Sequence, residues 1–321
     1  MAGKDRKSRS DTYSTPRSLV HVAGKPLVKH LLNSVSVLDF DKAIFIVDED
    51  FPSLKKMIEK KHSFKSIFVM QKERRGVAHA ILGAKKYVEK DEDVLVLFAD
   101  TLIETNLKII NKHKDDGIVW TKIVKDPRPY GVAFLHDGYI SKLIEKPSTP
   151  ISDRAIVGMY YFKNAGELFR QIEFLIKNDI KTHGEFQLTD AIQLMIEHGD
   201  KLKVADVKTW HDCDTVKNLL ETNKYLLKKA GSKMPSVRNS VIIKPVYIDK
   251  TAIITNSIIG PNVSIGKGVH IHESVVSESI INEEANISNA LLKDSIIGKK
   301  TKVEGFSKKL NIGDLAQVSY Y

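Results

Sequence analysis

The stretch Val94-Leu95-Val96-Leu97-Phe98-Ala99-Asp100 decides the fold. Five large apolar residues run together with no polar face, which predicts a strand covered on both sides in a parallel sheet. The run ends on a carboxylate. In open α/β sheets the carboxyl ends of strands face the ligand crevice, so an aspartate there is placed to hold a hard cation such as Mg²⁺ against a phosphate. The competing reading makes Asp100 a helix N-cap, because a helix-like segment follows from about Asn106.

Strands and helices alternate outward from this run. Residues 43–47 and 67–70 read as strands, and 54–61 and 76–88 as helices. Leu27, Leu31, Leu32 and Val35 form one apolar helical face, opened by Pro26. This βα rhythm predicts a doubly wound sheet. Beyond a strand at 118–123, residues 131–135 and 139–144 flank His136-Asp137-Gly138, a hairpin signal. A strand at 155–162 and helices over 165–177, 187–198 and 215–229 follow.

Near Gly231 the grammar changes. Aliphatic residues recur every five or six positions: Ile242, Ile248, Ile254, Ile259, Ile265, Ile271, Val276, Ile281, Ile287, Leu292, Ile297 and Val303. A helix cannot hold this period and ordinary hairpins do not keep so short a step. Hexapeptide repeats of a parallel β-helix do, stacking aliphatics in an inner ladder. A small sandwich of short strands is the alternative. The expected domains are 1–232 and 233–318.

Composition narrows the class. The chain has 321 residues, 42% of them hydrophobic, enough for two domains with a sizeable core. Its single cysteine, Cys213, excludes an internal disulfide framework and fits a reducing compartment. No stretch has the length of a membrane span and no signal peptide opens the chain, so a cytoplasmic protein without a membrane partner is expected. The net charge of +10 suits nucleotides or sugar phosphates. It is spread along the chain with no nucleic-acid module signature, so no nucleic-acid partner is expected.

Several short motifs punctuate the α/β part. They are Gly3-Lys4-Asp5-Arg6-Lys7 with Pro16-Arg17, the segment from Gln71 to Ala80, Tyr130-Gly131, Glu145-Lys146-Pro147, the segment from Gly184 to Asp190, and Trp210-His211-Asp212-Cys213-Asp214-Thr215. With the C-terminal repeats they resemble the sugar-1-phosphate nucleotidyltransferases, most nearly the glucose-1-phosphate thymidylyltransferase-like members. The likeness covers nearly the whole chain. It implies a Rossmann-like (GT-A-like) α/β nucleotidyltransferase domain followed by a left-handed parallel β-helix of about four coils. The implied reaction is NTP + sugar 1-phosphate → NDP-sugar + diphosphate, with dTTP or UTP as the NTP. A homo-oligomer is compatible with a flat face of stacked coils.

The resemblance also implies roles. Gly3 would let backbone N–H groups approach the triphosphate, and Arg17 with Lys7 or Arg6 would offset charge on the leaving diphosphate. Gln71 would read the base edge, and Gly76 would admit the base or ribose. Tyr130, Gly131, Glu145, Val157 and Glu185 would contact the sugar, and Lys146 its phosphate. Asp100 and Asp212 would share one Mg²⁺. Bland readings stand beside these: a solvated Gln71, a surface Glu145–Lys146 pair, Thr189 and Asp190 as helix openers, and Asp212 with Asp214 capping the helix that follows.

The chain departs from the family pattern at Asp5 and Asp214, which replace glycines, at Lys7, which replaces an arginine, and at Arg17, which replaces a lysine. The pattern's first strand has no counterpart before Gly3, so either the start lies upstream of Met1 or the domain lacks that strand. These departures motivate an alternative, a subunit that binds nucleotide or NDP-sugar without turnover. A lesser one is an acyltransferase using His270 or His272 on the coils, although both histidines read as exposed. Cys213 and His211 have no arrangement around them that supports nucleophilic or acid–base work.

Overall fold

The computed structural model describes residues 17–47, 51–58, 64–305 and 310–319. Gly3, Arg6 and Lys7 lie outside the described residues, as does the side chain of Arg17. The described chain groups into two compact units: Leu31–Trp210, and a second in which residues 17–30 join 211–319.

In chain order the elements are strands β1 (His21–Val22) and β2 (Lys25–Pro26), helix α1 (Leu27–Val35), β3 (Lys42–Val47), α2 (Phe51–Ile58), β4 (Lys65–Met70), α3 (Val77–Leu82), β5 (Val94–Leu97), β6 (Thr101–Glu104), β7 (Gly117–Ile123), β8 (Val132–His136), β9 (Tyr139–Ile144), β10 (Arg154–Phe162), α4 (Ala165–Lys177), α5 (Leu188–Glu197), β11 (Leu202–Asp206), β12 (Thr209–Asp212) and α6 (Val216–Ala230). Short strands from Val241 onward make the coils.

The first unit is built on a mixed sheet of order β11-β7-β10-β8-β9, with β5 joined to β10. The expected parallel setting of the central strand is corrected here. β5 runs antiparallel to β10, with Leu97 opposite Met159 and Val94 opposite Phe162. β3 and β4 form the expected parallel pair. An unbroken apolar run encodes coverage of both faces, and it carries no information on the direction of the neighbouring strand. That coverage is present. Val94, Val96 and Phe98 pack on a core that includes Leu168, Phe169, Phe186 and Ile192, while Leu95 and Leu97 pack on a second core with Val35, Trp120 and Met159.

The helices form where the periodicity places them. In α4, Leu168, Ile172 and Leu175 fall on one buried stripe, and the Asn164 side chain caps the start by accepting from the Glu167 N–H. The α3 segment is shorter than expected, Val77–Leu82 followed by a 3-10 turn at Lys85–Tyr87. Asp137 and Gly138 take the positive φ values that a two-residue hairpin turn requires.

One half-buried carboxylate in this unit costs stability. Asp200 Oδ2 is buried with no partner among the described residues, and burial, aided by Glu167 and Asp116, pushes its carboxyl up to about 6. The folded chain therefore holds this proton more tightly than the unfolded chain does. Stability must fall as pH rises from about 4 to about 6, and the whole penalty is present above that window. Asp200→Asn is expected to stabilise by about 1 kcal/mol at pH 7.5, after discounting for a half-exposed group, and to change nothing at pH 4. Urea unfolding at the two pH values checks this.

In the second unit the coils stack parallel strands into three ladders, such as β-strand Val246–Ile248 beside Val263–Ile265 and then Ile280–Ile281. All twelve periodic aliphatics point inward: eleven are buried in one core and Ile242 packs against it at the first coil. Corners need a left-handed residue, and Asn239, Asn256 and Asn289 supply it at one of them. Serine side chains knit the turns together. Ser257 and Ser274 Oγ each donate to a carbonyl two residues back and accept an N–H from the next coil. Among the described residues no helix is long and apolar enough to cross a membrane.

Candidate functional site

At the carboxyl end of β5 the chain bends through Ala99 and Asp100 and at once enters β6. Asp100 therefore caps no helix. Asn106 takes that role, accepting from the Lys108 N–H. Asp100 is half-buried, and no cation pairs with it among the described residues.

Beside this end, β10 bulges. Its register with β7 shifts between Ile156 and Tyr160, and Gly158 sits at φ +79. The bulge turns the Gly158 carbonyl toward β5, where it accepts the Phe98 N–H at 2.9 Å. A Cβ on Gly158 would lie 2.7 Å from the Phe98 ring, so strand and bulge meet only through a glycine. Val157 is buried, and its carbonyl accepts from Thr101 Oγ1. The same hydroxyl accepts from Trp210 Nε1 at 2.8 Å. Trp210 in turn meets Tyr130 edge to face, with ring centroids 4.7 Å apart.

Tyr130 leads to the polar heart of the first unit. Its carbonyl accepts the Lys146 N–H, and the Gly131 carbonyl accepts the Ile156 N–H. A Cβ on Gly131 would come within 3.0 Å of Glu145 Oε2 and of Thr189 Cγ2. Thr189 Oγ1 donates to Glu145 Oε2 at 2.9 Å. Burial pushes the Glu145 carboxyl up, while the Thr189 hydrogen bond and the Lys146 charge draw it down. Lys146 itself is exposed and held at φ +42, a left-handed conformation that is costly for lysine. Strain of this kind persists only where surrounding contacts impose it. Thr189 thus does more than open α5. The signal was its place in the segment Leu188-Thr189-Asp190, but nothing in spacing alone links it to Glu145.

A second cluster lies at the start of α3. Gly76 has φ +113, and a Cβ there would meet the Phe186 carbonyl oxygen at 2.4 Å. Backbone bonds run both ways: the Phe186 N–H donates to the Arg75 carbonyl, and the Ala78 N–H donates to the Phe186 carbonyl. Glu185 sits in the tight turn Thr182–Glu185, whose ends exchange backbone hydrogen bonds. Gln71 follows β4, its N–H bonded to the Val47 carbonyl. Its Oε1 is buried with no partner among the described residues, so it is not merely solvated. An orphaned amide oxygen of this kind is a receptor for a donor.

The second unit holds Asp212, Asp214 and the backbone of Arg17. Thr215 caps α6 by accepting from the Asn218 N–H, and Asp214 accepts from Asn218 Nδ2 at 2.9 Å. The N-cap expected as the alternative role for Asp212 and Asp214 is Thr215, while Asp214 bonds only the Asn218 side chain among the described residues. Cys213 is fully buried, with Sγ 3.4 Å from Thr222 Oγ1. His270 and His272 are exposed on the coils, and His272 shares a hydrogen bond with Thr255.

Two concavities lie away from these clusters, one by Glu104, Asn106 and Lys208, the other by Val69, Leu82 and Glu173. Neither is lined by any residue singled out from the sequence.

The chain is similar to known proteins. A family model described as nucleotidyl transferase matches residues 9–229, and one described as the GMPPB C-terminal domain matches 242–313. The glucose-1-phosphate thymidylyltransferase of Streptomyces griseus is 26% identical over 99% of this chain and 98% of its own length. The bifunctional protein GlmU of Methanocaldococcus jannaschii is 34% identical over 78% of this chain, but the match takes in only 60% of that protein. A solved UDP-glucose pyrophosphorylase complexed with UDP-glucose has the same fold, with a TM-score of 0.58 at 19% identity over 67% of this chain and 92% of that one. With the first of these models spanning more than half of its length, the chain belongs to the nucleotidyl transferase family.

Proposed function

We propose that this chain joins an NTP, dTTP or UTP, to a sugar 1-phosphate and releases diphosphate, as its thymidylyltransferase relatives are named for doing. The observation that carries this reading is the cluster of Gly131, Glu145, Lys146 and Thr189, linked through Tyr130 and Trp210 to the end of β5. A half-buried carboxylate with one oxygen already bonded suits sugar hydroxyls, and a strained, exposed lysine beside it suits the sugar's phosphate. Without a side chain at Gly131, Glu145 and Thr189 approach its backbone closely. Gln71 Oε1, buried with no partner among the described residues, suits a base edge, and Gly76 keeps the role the resemblance implies, admitting the base or ribose.

Asp100 suits a hard divalent cation, although among the described residues no group of three or more carboxylate, histidine or cysteine side chains is gathered to hold one. Asp100 ends a strand, caps nothing and pairs with no cation among the described residues, and its oxygens are hard donors. The family resemblance, rather than any measured approach of the two side chains, would pair Asp100 with Asp212 on one Mg²⁺, which would supply charge stabilisation at the α-phosphate. In the proposed displacement a sugar phosphate oxygen attacks the α-phosphorus and diphosphate departs. Lys146 holds the nucleophile, which is already ionised and needs no base. Arg17, with Lys7 or Arg6, offsets charge on the leaving group. The protein's share is placement and electrostatics, with no covalent intermediate.

The test is product analysis. Chain, Mg²⁺, NTP and sugar 1-phosphate should yield an NDP-sugar by mass spectrometry. NDP-sugar binding by calorimetry with no product from any pair would favour the non-catalytic binding subunit instead. Thr189→Val should raise the KM for sugar 1-phosphate about tenfold with little change in the KM for NTP, because it frees Glu145 and leaves the base side untouched. Steady-state kinetics measure both.

A further inference from the structure

The coils present three outer faces, and one differs from the rest. On the ladder through Val241, Ile258, Val275 and Leu291 the outward residues are exposed. On the ladder through Tyr247, Ser264, Ile280 and Ile296 the last three are buried, although they point away from the coil core. Within the second unit, α6 and the hairpin of β1 and β2 meet this face. Asn223 on α6 is the junction. It is fully buried, its Nδ2 donates to the Asn262 carbonyl, and its Oδ1 accepts from both Ser264 Oγ and the Ala23 N–H.

The hairpin tip is seated on the coils in a second way. Gly24, at φ +80, lies flat on the Tyr247 ring, and a Cβ there would fall 2.3 Å from ring carbons. Beside it, His21 Nδ1 is 3.9 Å from Glu283, which Lys299 pairs at 2.8 Å. The hairpin closes on itself through the Leu27 N–H and the Val20 carbonyl, three residues from Arg17. Whatever fixes the tip therefore fixes the backbone that carries Arg17.

From this we infer that the β-helix is a positioning element for diphosphate departure: Tyr247 and the Asn223–Ser264 pair seat the hairpin that sets where Arg17 stands. The inference rests on the function proposed above for Arg17. Tyr247 is a positioning residue here, since it acts only through Gly24.

The full chain carrying Tyr247→Ala tests this, with Tyr247→Phe as the conservative partner. Tyr247→Ala should lower kcat about tenfold with the KM for sugar 1-phosphate within twofold, and Tyr247→Phe, which keeps the ring, should restore kcat. Hydrogen exchange should quicken across residues 17–30 in Tyr247→Ala and stay unchanged across 94–104. If Tyr247→Ala unfolds, Gly24→Ala displaces the same hairpin with the coils intact and should give the same split. Wild-type kcat with wild-type exchange at 17–30 would overturn the inference, as would equal loss in the Ala and Phe variants. A wild-type chain that turns over no substrate pair would sink the proposed function instead, and the exchange comparison would still decide whether the coils seat the hairpin.

Discussion

Replacing Asp100 by Asn is expected to lower diphosphate release about 10³-fold while the chain stays folded. The substitution keeps size and hydrogen-bonding capacity but removes the negative charge that a hard cation needs, and a lost electrostatic contact at a transferring phosphoryl group is worth several kcal/mol. Asp100 caps no helix and has no cation partner among the described residues, so little folding energy rides on its charge. Thermal unfolding within about 2 °C of wild type, together with the loss of activity, would separate the metal role from a structural one. A variant that retained activity would remove Asp100 from the site.

Gly76→Ala should have the largest effect on stability. Its φ of +113 lies in a region closed to L side chains, and the new methyl would stand 2.4 Å from the Phe186 carbonyl oxygen. Backbone cannot yield as a flexible side chain does. The turn that carries Glu185 and Phe186 must move, and with it the hydrogen bonds to Arg75 and Ala78. About 3 kcal/mol or more should be lost, a fall of roughly 10 °C in the melting of the sheet unit. A Tm unchanged within 2 °C would mean that the close approach is not required.

Much of the fold was legible because its signals are local. The β5 run gave coverage of both faces, and the coil aliphatics gave a five-to-six-residue period that stacked coils keep and helices do not. Strand direction was not legible. The antiparallel β10 beside β5 depends on a chain reversal made more than fifty residues later, and apolar burial is blind to it. For the site, motifs resembling those of a known family marked Gly131, Glu145, Lys146 and Gly76. They could not show that Thr189 holds Glu145, or that Gly158 exists to let β10 bulge against Phe98, because those are contacts between distant segments. Nor could spacing show that α6 and the hairpin of β1 and β2 group with the coils, whereas the change in residue pattern falls near Gly231. Gly3, Arg6 and Lys7 were read from a motif alone and lie outside the described residues.

The most direct measurement is diphosphate release by the purified full chain with Mg²⁺, across a panel of NTPs and sugar 1-phosphates, beside Asp100→Asn. Release confined to one NTP–sugar pair, and lost in the variant, is the expected result and would name the substrates. A folded chain that releases no diphosphate with any pair, or an Asp100→Asn variant as active as wild type, would contradict it.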